Sequence, residues 1–389
     1  MTACPSCFQH LPENVRMWMC QNPSCEKAHD VVASAYLGGP VSSGFVNVEQ
    51  KPENAPRRWT PRESSFCGRC GSAQTEICAI CHYALLPGWR NAEVTTVAMN
   101  GARATGKSFY IAVAVQQLGH LLAHVNSSVD YGNERTRDVY TSVYERPLYE
   151  ELGIIAPTPR ADTANSYQRD PMIFRLGIIN GALRYLVIRD VAGEEMENAS
   201  ADAQNLSFLR HADAVFFMFD PLQISEIRER LRDLVPPQLT TGGDPKVVLG
   251  NLLRLMGDSS TRLGVIVSKF DALQALRDVD DVDWKAIMSN PGSAMQRDPS
   301  LDTGTFDKED SELLSLEVRS LLFTLGASGF VYTLDQANAG RGVDHRFFAV
   351  SVLGDSPDGD TLSRFGISPY RTVDPLKWVL QSRGVLLAQ

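Results

Sequence analysis

After Cys81 the chain contains no cysteine: all eight lie between Cys4 and Cys81, and the remaining 308 residues carry none. Cross-linking by thiols is thereby excluded from most of the molecule, and the thiols present serve one local purpose. Nowhere does an apolar run approach eighteen residues, and the N-terminus does not join a basic stretch to an apolar core and a small-residue cleavage site. Neither a membrane span nor a secretory leader is expected, which points to a reducing cytoplasm where disulfides do not persist. Internal repeats and coiled-coil heptads are also missing, setting aside solenoids and long helical rods. So is a concentrated basic face. The net charge is -9, and residues 1–92 hold eight Lys and Arg against seven Asp and Glu. Nucleic-acid affinity comes largely from neutralised phosphates, so nucleic acid is not the expected partner. Arg57, Arg58 and Arg62 around Trp59 form the one basic cluster worth naming, and it reads as a solvated linker.

The spacing of the cysteines points to zinc. Cys4-x2-Cys7 followed by Cys20-x4-Cys25 makes one four-thiolate set, and Cys67-x2-Cys70 followed by Cys78-x2-Cys81 a second. Two zinc ions are therefore expected, each held by cysteines contiguous in sequence. Complete Cys4 sets leave no coordination position open for water, so the sites are structural. His10, His29 and His82 lie close by and read as loop histidines. The stretch 30–66, with Leu-Gly-Gly-Pro, Val-Ser-Ser-Gly and Asn-Ala-Pro-Arg-Arg, reads as a loop or loose β-excursion. Residues 1–90 thus form a zinc-ribbon-like module suited to docking a protein partner.

Beyond it, residues 101–108 read Gly101, Ala102, Arg103, Ala104, Thr105, Gly106, Lys107, Ser108, a full phosphate-binding loop. Glycine is needed where the loop wraps phosphates in conformations a Cβ obstructs, leaving backbone N–H groups aimed at oxygen. Lys107 brings a point charge to the β- and γ-phosphates, and Ser108 opens a helix whose hydroxyl can ligate magnesium. The context agrees. Residues 93–99 supply a strand, and 107–122 a helix in which Phe109, Tyr110, Val113 and Leu118 recur at helical spacing.

Two shorter motifs follow in the order a guanine-nucleotide switch requires. Residues 183–189 read as a buried strand delivering Asp190, which can hold the magnesium shell, and Gly193, whose N–H can meet the γ-phosphate because no side chain intervenes. Residues 262–268 deliver Ser268, Lys269 and Asp271. The Asp271 carboxylate can accept two hydrogen bonds from N1–H and the exocyclic amine of guanine, a donor pair adenine lacks. A later strand at 347–351 ends in Ser351-Val352-Leu353. Strand 172–179 hairpins through Asn180-Gly181 into the Asp190 strand. The threonine that closes over magnesium must precede that hairpin, with Thr158 in Ala-Pro-Thr-Pro and Thr163 as candidates.

These motifs make 93–389 resemble a Ras-like GTPase of the translation-factor-related class. The stretch Ala-Asp-Ala-Val-Phe-Phe-Met-Phe-Asp-Pro at 212–221, Val-Asp-Pro-Leu-Lys-Trp-Val-Leu at 373–380 and the cysteine pairs resemble a bacterial group of double-GTPase or TRAFAC-clade GTPase-like proteins, which serve signalling or conflict systems. The resemblance implies GTP or GDP, magnesium and a switch mechanism. Three departures qualify it. Ser268 stands where asparagine or threonine is usual, so the hydrogen bond that braces the phosphate loop is expected to be weaker or to be made by the serine hydroxyl. Glu194 replaces a water-orienting glutamine and adds charge beside the γ-phosphate, so slow hydrolysis is expected. Arg103 occupies a position where glycine is frequent, crowding an incoming arginine or supplying charge in cis.

The chain is longer than a minimal fold of this kind, and insertions near 119–159 and 272–346 account for the excess. The first holds a helix at 135–152 with Val139, Val143 and Leu148 on one face. The second carries an acidic run, Asp278, Asp280, Asp281 and Asp283, and a Pro/Gly/Ser-rich stretch at 290–304, both read as exposed loop. The expected architecture is an α/β, doubly wound, mainly parallel sheet at 91–389, folding on its own core, behind the zinc module. Its expected work is magnesium-dependent GTP binding and hydrolysis, with Lys107, Gly193 and Glu194 catalytic. The alternatives are a GTP-binding scaffold with negligible turnover and a zinc-dependent nucleic-acid-binding NTPase that prefers ATP.

Overall fold

The computed structural model describes residues 2–56, 59, 61–153, 155–156, 158–160, 170–200, 203–232, 243–278, 280–341, 343–354 and 366–388. Arg57, Arg58 and Thr163, named above, lie outside the described residues.

Three strands make the small N-terminal sheet: β1 (Val15–Cys20), β2 (Val46–Gln50) and β3 (Gln74–Ile77). Their order is β2-β1-β3, all antiparallel. Seven more form the main sheet: β4 (Glu93–Asn100), β5 (Asp130–Tyr131), β6 (Met172–Ile179), β7 (Ala182–Asp190), β8 (Ala214–Phe219), β9 (Arg262–Val267) and β10 (His345–Ala349). The order is β10-β9-β8-β4-β7-β6-β5, parallel from β10 to β7 and antiparallel at β6 and β5. Strand β8, Ala-Val-Phe-Phe-Met-Phe, is buried throughout, as a central parallel strand covered on both faces must be. The β6–β7 hairpin turns through Asn180 and Gly181 at φ 54 and 78, the doubly left-handed turn that matches strand twist.

Around the sheet lie α1 (Val31–Leu37), α2 (Lys107–Ala123), α3 (Glu134–Val139), α4 (Gly193–Glu197), α5 (Pro245–Met256), α6 (Lys308–Thr324), α7 (Ser328–Arg341) and α8 (Asp374–Ser382), besides shorter helical turns. One apolar cluster joins α2, α8 and one sheet face. The other joins α5, α6 and α7 with the opposite face, and it also takes in Cys4, Cys7, Phe8, Leu11, Cys78, Cys81, Leu85 and Trp89. The zinc-ribbon-like part therefore fills a place in the layer that helices occupy elsewhere. Trp89 lies 4.8 Å from the Tyr185 ring on β7 and donates from Nε1 to the carbonyl of Ala3. Hydrophobic packing thus runs across the composition boundary near residue 90.

Several local expectations need correction. The 30–66 stretch is not all loop: Asp30 accepts from the Ala33 amide at 2.9 Å, Gly38 closes the far end at φ 73, and α1 lies between. The helix expected at 135–152 is α3 followed by a π-helical stretch, Tyr140–Glu150, containing Pro147. Because Pro147 offers no N–H and the wider turn shifts the face inward, Tyr144 and Leu148 are buried while Val143 is half-buried. In the acidic run, Asp281 caps a short helix, Val282–Met288. The 290–304 stretch is exposed only in part, with Ser293, Ala294, Met295 and Ser300 buried. Arg371 explains this, because its guanidinium donates to the carbonyls of Ala294 and Arg297 and pairs with Asp310 and Asp374 at 2.8 and 2.6 Å. A single buried cation thereby satisfies backbone that water would otherwise have to serve.

Candidate nucleotide site and thiolate centres

The phosphate loop leaves the central strand β4 at its carboxyl end, the place where open α/β sheets bind ligands. Gly101 sits at φ 144, where an added Cβ would lie 2.1 Å from the Met218 carbonyl of β8. Gly106 caps α2 at φ 90, and Ala104 takes φ 58 between them. Thr105 Oγ1 donates to the Ala102 carbonyl at 3.0 Å. Lys107 Nζ is buried and donates to the carbonyls of Gly101 and Ala102 at 2.9 and 3.0 Å. Burial holds its pKa below the ordinary lysine value, partly offset by the Asp190 and Glu197 carboxylates.

Three oxygens converge beside that ammonium. Thr158 Oγ1 donates to Asp190 Oδ2 at 2.7 Å and lies 3.2 Å from Ser108 Oγ. The other Asp190 oxygen, Oδ1, is buried without a hydrogen-bond partner among the described residues. Burial pushes the Asp190 carboxyl up, against the pull of Lys107 and the Thr158 hydroxyl. Two hydroxyls and a carboxylate with one oxygen left unsatisfied are donors a hard divalent cation takes, so these residues fit magnesium.

Gly193 opens α4 directly against the phosphate loop: a Cβ there would stand 2.5 Å from the Arg103 amide nitrogen. Next to it, Glu194 Oε1 pairs with Arg103 NH2 at 2.7 Å, both side chains being partly exposed. The two departures noted in the sequence thus face each other.

At the end where the sequence leads one to expect base recognition, Asp271 lies in the short helix Phe270–Gln274 and accepts from Ser351 Oγ at 2.5 Å, while the Gly354 amide donates to that same hydroxyl. Lys269 stands at φ 50 and pairs with Asp220 Oδ2 at 2.8 Å. Ser268 Oγ donates to the Phe219 carbonyl of β8, not to the phosphate loop, so the brace expected of it goes to the neighbouring strand. Asp220 and Gln223 belong to this neighbourhood too, Gln223 Nε2 donating to the Arg103 carbonyl at 3.3 Å. Their signal was the Asp-Pro cap after a buried strand, which marks a helix start and carries no hint of Lys269.

The thiolates assemble differently from the sequential expectation. Cys4, Cys7, Cys78 and Cys81 form one group and Cys20, Cys25, Cys67 and Cys70 the other, each with Sγ atoms within 4.8 Å of one another. The antiparallel pairing of β1 with β3 explains the partition: Cys20 lies opposite Gln74, so one end of the sheet gathers the four inner cysteines and the other end the outer four. Three Cys-x2-Cys turns share one geometry. Phe8, His82 and Gly71, each just after the second cysteine, stand at φ 61, 61 and 71. Their amides donate to the carbonyls of Cys4, Cys78 and Cys67. Amides of Ser6 and Ile80 also point at Cys4 and Cys78 sulfur at 3.4 Å. All-sulfur tetrads of this size fit zinc. The first group is buried, whereas Cys70 of the second is exposed.

The model of the family described as Double-GTPase 2 matches residues 95–314. A protein of Mycolicibacterium smegmatis named "Putative ESX-1 scaffolding and assembly protein SaeC" is 43% identical over 389 residues, covering 99% of this chain and all of that protein. Among solved structures, a bacterial selenocysteine-specific elongation factor EF-Sec superposes with a TM-score of 0.29 at 11% identity; the alignment covers 74% of this chain and 28% of the factor.

Proposed function

The chain belongs to the Double-GTPase 2 family, and we propose that it is a magnesium-dependent, GTP-binding and GTP-hydrolysing switch whose zinc-ribbon-like part docks a protein partner. The observation carrying this reading is the convergence of Ser108, Thr158 and the half-satisfied Asp190 carboxylate beside Lys107. In it, the loop amides and Lys107 hold the β- and γ-phosphates. Ser108, Thr158 and Asp190 hold magnesium, which neutralises charge on those phosphates. Gly193 brings its N–H against the γ-phosphate, Glu194 orients the attacking water, and Asp271, set by Ser351, reads guanine while Lys269 lies along the base. A relative named for scaffolding and assembly supports a protein partner. Denaturing freshly purified protein and identifying the released nucleotide tests the reading: GDP or GTP is expected, and ATP or nothing would reject it.

A second reading, a GTP-binding scaffold with negligible turnover, is favoured by one observation. The Glu194 carboxylate is engaged by Arg103, which competes with its orienting an attacking water. Single-turnover phosphate release from GTP-loaded protein separates the two.

A further inference from the structure

Arg189 immediately precedes Asp190 on β7 and, by the two-residue period of a strand, faces the opposite side of the sheet. Leu186 and Ile188 pack into the cluster beneath α2, whereas Tyr185, Val187 and Val191 pack with the first thiolate group, Phe8 and Trp89. The Arg189 side chain is buried on that second face. Its NH1 donates to the Ser6 carbonyl, inside the Cys4–Cys7 turn, at 2.7 Å. Its guanidinium lies 3.9 Å over the Phe208 ring, which meets Phe8 edge-on at 5.4 Å. Among the described residues no carboxylate forms an ion pair with it, and its Nε is buried without a hydrogen-bond partner. A buried cation needs a counter-charge. A zinc ion in a four-thiolate set leaves excess negative charge at that spot. The second thiolate group is the internal control, since Cys20, Cys25 and Cys67 pack with Phe45 in a separate small cluster.

We propose that Arg189 is a positioning residue coupling the metal state of the Cys4–Cys7–Cys78–Cys81 centre to Asp190. The anionic centre holds the Arg189 cation on one face of β7, and that contact fixes the Asp190 carboxylate on the other face, within reach of Ser108 and Thr158. Loss of zinc there loosens magnesium and nucleotide, while loss of zinc from the second group does not. The inference rests on the magnesium-nucleotide reading of Asp190.

The test uses the full chain as parent, Arg189→Met, Arg189→Lys and Cys25→Ser. Zinc content is measured by native mass spectrometry, magnesium affinity by titration of protein loaded with fluorescent GDP, and amide hydrogen exchange over 186–192. Arg189→Met should keep two zinc ions yet bind magnesium at least about tenfold more weakly, the range seen when partners behind metal ligands are removed. Arg189→Lys should recover most of the loss, and Cys25→Ser should lose one zinc with magnesium affinity unchanged. In the parent, stepwise chelation should leave magnesium affinity intact as the first zinc departs and lower it with the second, a measurement that needs no variant to fold. Parental magnesium affinity in Arg189→Met, or equal damage in Arg189→Lys, would overturn the coupling. If the parent retains no guanine nucleotide, the functional reading fails. Hydrogen exchange then decides the coupling alone: faster exchange over 186–192 in zinc-replete Arg189→Met sustains it, and unchanged exchange overturns it.

Discussion

Lys107 is the residue whose role follows most directly from its contacts. Its ammonium bonds two loop carbonyls that phosphate oxygens would outcompete, and charge-assisted contacts of this kind are worth up to about 3 kcal/mol. Lys107→Ala should weaken GDP binding by about 100-fold or more in a calorimetric titration with magnesium. Asp271→Asn should leave the fold intact and erase about 100-fold of the preference for GTP over ATP, because the amide presents a donor to guanine N1–H; equal binding of both by parent and variant would reject the guanine assignment. Arg103→Gly tests the pair with Glu194. A half-exposed ion pair contributes at most about 1 kcal/mol, so thermal stability should hardly move, while single-turnover phosphate release should rise as Glu194 is freed. Slower release would instead make Arg103 a charge supplied in cis. The residues of the phosphate loop were legible because chain order alone juxtaposes them. Asp220 and Arg189 were not, since one meets Lys269 and the other the first thiolate group only after the strands have taken their order in the sheet.

Helix α4 shows how an element is positioned by what one residue omits. Its first residue, Gly193, rests against the Arg103 amide so closely that no Cβ fits. Gly193→Ala should therefore push α4 back from the loop, costing roughly 1–3 kcal/mol by overpacking. Hydrolysis should fall more than about tenfold while GDP affinity, which depends on the loop and Lys107, stays within about threefold. Differential scanning and single-turnover assays read the two effects separately, and unaltered hydrolysis would remove Gly193 from the mechanism. Strands β4, β6, β7, β9 and β10 and helix α2 were legible to within a few residues at each end, because buried β-branched runs and helical spacing are local signals, whereas the two-residue β5 and the central β8 were not read as strands. Helix α1, the π-helical stretch and the buried part of 290–304 were not legible. Each is stabilised by something outside its own pattern: a cap at Asp30, a proline that shifts the helical register, and the distant Arg371.

At the scale of the whole molecule, the doubly wound sheet was legible from the alternation of buried strands with helices, but the union of the two parts was not. Composition changes near residue 90, yet Phe8, Trp89, Tyr185 and Phe208 share one core. A chain beginning at Gly88 should accordingly expose the face of β7 that the thiolate module covers. We expect it to be insoluble or to melt more than about 10 °C below the parent, given that each 1 kcal/mol shifts a domain of this size by about 2–4 °C. A soluble truncated chain with the parental melting temperature and nucleotide affinity would show that the module is an appendage. Native mass spectrometry of the intact chain should find two zinc ions, and their removal should lower its melting temperature. The grouping of the thiolates carries a consequence for synthesis. Taken along the chain, the two sets are nested like paired brackets, 20, 25, 67 and 70 inside 4, 7, 78 and 81. A ribosome delivers residues in order, so neither bracket can close while only the first half of the module has emerged. The inner one closes first, and in doing so it shortens the loop the outer one must bridge, which lowers the entropy cost of the second closure. The phosphate loop begins twenty residues after Cys81, so the last bracket can snap shut before the strand that leads into the nucleotide site has left the exit tunnel.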